Sequence, residues 1–163
     1  MAIWHFSFNF VPRSGIVNVY GSIPLVLDEF TEMESNIDFD SVGMPDYWVE
    51  TGIDLMLDVV PLAEKILSQK HLLVGNEVKI GSRNSHLFLI DNSDIMFEYH
   101  LGYPNRSVLI DVLDLAKDLE CMVVLEGTGE VCKPEFAIII EKIKDSTAYE
   151  FSKVNMNGLT SKP

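Results

Sequence analysis

Between residues 14 and 64 the chain has no lysine and no arginine. The same stretch holds eleven of the 25 acids and none of the 12 bases. Outside it 14 acids face 12 bases, so nearly all of the net charge of −13 sits in one segment. An acidic balance of this size argues against nucleic acid and anionic membranes as direct ligands. Cysteine is also scarce. Cys121 and Cys132 are the only two, too few for a disulfide framework, and no Cys/His spacing of a metal site is present. No apolar run reaches the roughly 18–20 residues that a membrane helix needs. The opening Met1-Ala2-Ile3-Trp4-His5 lacks the basic start and apolar run of a signal peptide. A reducing cytoplasm is the expected compartment. Catalytic signatures are missing too: no G-x-S-x-G, no H-E-x-x-H and no Walker loop occurs, and Gly127-Thr128-Gly129 reads as a hairpin turn.

What is present is an ordinary core. Hydrophobic residues make up 47% of the chain and charged residues 23%, a balance typical of a folded domain. At 163 residues one domain is expected, and it can bury a core without staples. Residues 3–11 alternate, with Trp4, Phe6, Phe8 and Phe10 on one side, which predicts a strand. Pro12-Arg13-Ser14-Gly15 reads as a turn and 16–20 as a return strand, giving a hairpin. Residues 23–30 carry Pro24 and read as an edge strand or the start of a helix. Residues 31–48 show no period and are expected to form a solvated loop, pinned at its end by Tyr47 and Trp48.

From Ile53 the period turns helical, with Ile53, Leu57 and Val60 on one face. Pro61 should push Val60 out of the α region, giving a kink or two pieces at 53–60 and 62–70. Residues 77–101 read as an antiparallel meander in which Ile95, Phe97, Tyr99 and Leu101 face inward. Pro104-Asn105-Arg106-Ser107 breaks the sheet and offers N-cap side chains for a helix over 107–119. A buried strand at 121–125, a Gly turn, a short partner at 131–133 and a Pro134-led helix to Lys144 follow. Asp145-Ser146 is placed to cap one more short helix. The fold class predicted is therefore α+β. A single domain over 1–154 has a mostly antiparallel sheet with about three helices on its core side, and 155–163 is a loose tail.

The acids Asp28, Glu29, Glu32, Glu34, Asp38, Asp40, Asp46, Glu50, Asp54 and Asp58 are the candidate binding surface. Complementary charge would steer and select a basic protein. Asn36, Asp38 and Asp40 have the opening spacing of a calcium loop. Ser41 then stands where that loop needs Gly, and Tyr47 where it needs Glu, so no metal is expected. The competing reading is a loop kept soluble by its charge. If Glu50, Asp54 and Asp58 share a helix they form one acidic stripe. Each like-charge pair at that spacing costs about 0.2–0.5 kcal/mol, which a cationic partner would relieve. Among the histidines His5, His71, His86 and His100, only His100 beside Glu98 suggests a small-molecule or catalytic site. Structural histidines are the commoner case.

One resemblance goes further than the pattern. The segment from Tyr47-Trp48 to Leu67, the hairpin, the strand-to-helix unit from Ile95 to Leu119 and the closing Asp145-Ser146-Thr147-Ala148-Tyr149-Glu150-Phe151 follow a recognisable order. Over residues 47–154 this order resembles small bacterial proteins of the kind found as immunity proteins beside polymorphic or contact-dependent toxins. The resemblance implies a cytosolic, stoichiometric inhibitor without a cofactor and assigns no individual site residue. The leading expectation is a non-enzymatic protein that uses its acidic surface against a cationic toxin domain, one that itself handles nucleic acid. A small enzyme or small-molecule binder near His100 and Glu98 is the alternative, and a structural or homo-oligomerising module is the third.

Overall fold

The computed structural model describes residues 5–31, 45–81, 85–90 and 94–152. The aromatic alternation at the N-terminus forms β1, His5–Pro12. Its partners are not the next segment in sequence. β1 pairs antiparallel with β6, Asp94–His100, on one side and with β7, Cys121–Leu125, on the other. It is thus a central strand, which explains its bulk: Phe8 and Phe10 are almost fully buried and stack at 5.9 Å.

The expected hairpin does not form. Residues Arg13–Tyr20 are a helix, α1. Both hydrogen-bonding edges of β1 are already occupied by distant strands, so the apolar stretch Ile16-Val17 cannot pair there. Pro12, which ends the strand, serves as the helix N-cap position. Gly21 closes the helix in the left-handed region at φ 78°, donating its N–H to the Val17 carbonyl at 2.7 Å. A glycine after an apolar run is a helix stop as well as a turn signal. Tertiary context overrides the strand preference of the β-branched residues.

β2, Val26–Thr31, is an edge strand and pairs with β8, Thr128–Cys132. Three further strands, β3 (Leu72–Val74), β4 (Glu77–Gly81) and β5 (Ser85–Ile90), complete one eight-stranded sheet. Its order is β2-β8-β7-β1-β6-β5-β4-β3. Every strand pairing in it is antiparallel. The meander over 77–101 and the alternation of β6 are as the pattern predicts, with Ile95, Phe97, Tyr99 and Leu101 all fully buried. β3 lay hidden in the sequence, because its Leu72, Leu73 and Val74 are all exposed and carry no inward alternation.

Pro61 neither kinks nor splits a helix. A π-helical turn, Leu55–Val59, leads straight into α2, Val60–Leu67, with the proline in the first turn. Val60 is helical, at φ −57° and ψ −49°, despite preceding a proline. The inward face is also shifted. Leu55 and Val59 are buried while Leu57 is 75% exposed, because the wider π turn rotates the residues away from a 3.6 period. α3, Arg106–Asp118, is capped by Asn105, whose side chain accepts from the Val108 N–H at 3.2 Å. α4, Phe136–Lys144, starts two residues after Pro134, with Glu135 at its N-cap, so the proline precedes the helix and does not lead it. Ser146 Oγ accepts from Tyr149 N at 3.3 Å and caps α5, Thr147–Ser152.

The architecture is therefore a single α+β domain. One face of the sheet carries the main core, built from Phe6, Phe8, Phe10, Phe97, Tyr99 and the inward residues of α2, α3 and α4. The reverse face has a smaller core of Val11, Ile16, Leu27, Phe30, Tyr47 and Val124, under α1 and β2. Tyr47 and Trp48, adjacent in sequence, enter the smaller and the larger core respectively, and so fasten the chain to both sides. Among the described residues no helix is long and apolar enough to cross a membrane.

Candidate functional site

The smaller core decides where the acidic segment lies. α1 rests on it and presents two polar side chains outward. Tyr20 Oη donates to the Glu29 carboxylate, 3.0 and 3.2 Å from its two oxygens. Asn18 Nδ2 donates to Glu50 Oε2 at 2.9 Å. Glu29 comes from β2 and Glu50 from the turn after Trp48, so α1 gathers acids that lie 21 residues apart in the segment. Partial burial, then the hydrogen bond and charge of Glu29 and the charge of Asp28, raise the Tyr20 hydroxyl above its usual value. Asp46 Oδ1 accepts from the Trp48 N–H at 2.9 Å and shapes the same turn. Asp28, Asp46 and Glu50 are exposed.

The acids at the start of the helical region are arranged differently from a stripe. Asp54 Oδ1 accepts from Leu57 N at 2.9 Å, and Asp58 Oδ2 accepts from Asp54 N at 2.8 Å. Each carboxylate satisfies a main-chain donor of a helix start, in the manner of a reciprocal cap. Glu50 is in a turn outside this helix. The expected single acidic face of Glu50, Asp54 and Asp58 is thus corrected: two of the three are capping groups, which stabilise the helix where they sit. Glu32, Glu34, Asp38 and Asp40, and most of the loop at 31–48, lie outside the described residues.

The fold adds acids that pattern alone could not find. Asp94 on β6 is driven above the usual carboxylate range, first by burial and then by the charges of Asp46 and Glu126. Glu126 Oε2 in turn accepts from the buried Asn9 Nδ2 at 2.7 Å. Asp46, Asp94 and Glu126 come from three separated stretches, and only the tertiary fold brings Asp46 and Glu126 within reach of Asp94. Among the described residues no group of three or more His, Cys, Asp or Glu is placed to hold a metal ion.

The histidines are brought together as well. His5 and His100 are register partners on β1 and β6, with their rings edge to face at 4.8 Å. His100 Nδ1 accepts from the Gly102 N–H at 3.0 Å, and Tyr103 packs against its ring at 5.4 Å. Burial, and then the His5 charge, lower the His100 pKa. Glu98 shares the outward side of β6, opposite Ser7 in register. The thiols are free and buried. Burial pushes Cys121 up to about 12, and burial followed by the Glu130 charge raises Cys132. No known family model, curated protein or solved structure matches the chain.

Proposed function

We propose that this chain is a non-enzymatic binding protein whose acidic surface receives a basic protein. The observation that carries the reading is the position of Glu29 and Glu50 on either side of α1, each held by a neutral donor of that helix. Neutral donors orient these carboxylates without cancelling their charge, so both remain available to a cation. Carboxylates so displayed can occupy sites that a basic, nucleic-acid-handling toxin domain keeps for phosphates. A bacterial immunity role in the cytoplasm is the most specific form of this proposal, and the two free thiols fit that setting.

The test is binding between the purified chain and a purified basic, nucleic-acid-handling protein domain, measured at low and high salt. The triple variant D28K/E29K/E50K is the comparison. The expected result is an association rate that falls about tenfold or more in the variant and with added salt, as for steered encounters. Equal rates for the two proteins would sink the electrostatic reading.

A further inference from the structure

The few bases outside the acidic segment are not evenly spread. At the end of the sheet where β1 stops, β7 begins and β8 departs towards α4, a groove of about 830 Å³ opens. Arg13, Lys117 and Lys133 line it, above an apolar floor that includes Ile23, Met122 and Pro134. Arg13 and Lys133 are exposed and have no ion-pair partner among the described residues, while Lys117 shares its charge with Asp114 at 3.2 Å. Glu120 and Glu135 also line the groove, leaving a formal surplus of one positive charge in a chain of net charge −13. The walls are tied together through main chain. Glu120 adopts a left-handed φ of 55°, and its carbonyl accepts from Arg13 N at 3.1 Å. That left-handed residue closes α3, its N–H donating to the Lys117 carbonyl at 2.9 Å. Both α1 and α4 begin at this groove, and neither start is capped by a side chain, so their positive ends add to the field of the three cations.

We propose that this groove binds a small organic anion, with a phosphate or carboxylate head against Arg13, Lys117 and Lys133 and an apolar body on the floor. The size falls within the roughly 300–1,000 Å³ of small-molecule sites, and the mixture of apolar floor and few convergent polar groups is their usual make-up. Guanidinium and ammonium groups that stand unpaired gain charge-assisted hydrogen bonds from an oxyanion. Glu120 and Glu135 restrict the choice. They repel an extended polyanion, so nucleic acid is a poor occupant, and they accept hydrogen bonds from a ligand's hydroxyl or amino groups. At physiological ionic strength charges beyond about 8 Å are largely screened, so only the charges at the groove itself set its potential. This site borders the acidic surface, since Asn18 lines the groove and also donates to Glu50, but it does not depend on that surface's function.

Titration of the isotope-labelled full chain, followed by amide NMR, tests the proposal with four probes: phenyl phosphate, benzoate, inorganic phosphate and benzyl alcohol. Phenyl phosphate or benzoate should give saturable shifts confined to residues 13–18, 117–122 and 133–135, and whichever binds tighter names the head group. Inorganic phosphate and benzyl alcohol should each bind at least about tenfold more weakly than that probe. The exposed double variant R13E/K133E should weaken the aryl anion about tenfold or more, while K65E, on α2, should not. Three results would overturn the proposal: no saturable shift with either aryl anion up to about 10 mM, equal binding by inorganic phosphate, or unchanged binding in R13E/K133E.

Discussion

A Cβ placed on Gly15 would meet the carbonyl oxygen of Tyr47 at 2.1 Å, so α1 and the Tyr47 turn touch main chain to main chain. The glycine is required by that contact. G15A must push α1 off the smaller core, and backbone on both sides leaves no flexible side chain to yield. A loss of about 3 kcal/mol is expected, near the upper end of overpacking costs. Urea unfolding should show a lower midpoint with an unchanged slope. The Asn18–Glu50 hydrogen bond should weaken with it, which links this packing contact to the acidic surface.

The Asp54–Asp58 cap gives a prediction of sign. If these acids merely repelled each other, D54A and D58A would stabilise the protein. As caps, each should destabilise by about 1 kcal/mol. The double variant should cost less than the sum, since each carboxylate supports the same helix start. A chemical-denaturation cycle over the four proteins measures both quantities.

Leu57 and Leu55 exchange the roles that a 3.6 period would assign them. L57S, at a side chain 75% exposed, should change stability by no more than about 0.5 kcal/mol. L55A, at a residue 2% exposed in the main core, should cost about 3 kcal/mol. Equal costs would mean that the π turn is not the conformation in solution.

Two groups on β6 should act on the pH dependence of stability in opposite directions. The His100 pKa is lowered, so in the window below 6.5 the unfolded chain takes up a proton before the folded one. Stability therefore falls as pH drops from 6.5 through the folded value of His100, and H100Q should flatten that slope. Asp94 is raised, so above 3.8 the folded state holds its proton longer than the unfolded state. Stability falls there as pH rises, and D94N should be stabilised at neutral pH, with the gain vanishing below 3.8. Thermal midpoints across pH 3–8 check both slopes.

Much of this fold could be read from local pattern. The alternation of β1 and β6, the Asn105 cap, the buried run at Cys121 and the Ser146 cap each carry their own signal, because one element's burial leaves a period in its own residues. The candidate site was legible only as a charge total. Tyr20–Glu29, Asn18–Glu50, the Asp46–Asp94–Glu126 field and the His5–His100 pair join residues far apart in the chain, and no spacing rule encodes such meetings. The Arg13, Lys117 and Lys133 groove is a stronger case, since each base alone looks like an ordinary surface residue.

By itself, then, the amino-acid order determined the α+β class, the inward faces of most elements and the concentration of negative charge between residues 14 and 64. Tertiary structure alone decided that Arg13–Tyr20 is a helix, that Leu55–Val59 winds as a π turn, and that Asp54 and Asp58 cap it. The reason is competition for partners. β6 and β7 occupy both edges of β1, so the next apolar residues must find burial another way. Packing them as α1 over Tyr47 yields more than any lone strand could. That choice places Glu29 and Glu50 on one surface and opens the basic groove along the same helix, with Asn18 shared between the two.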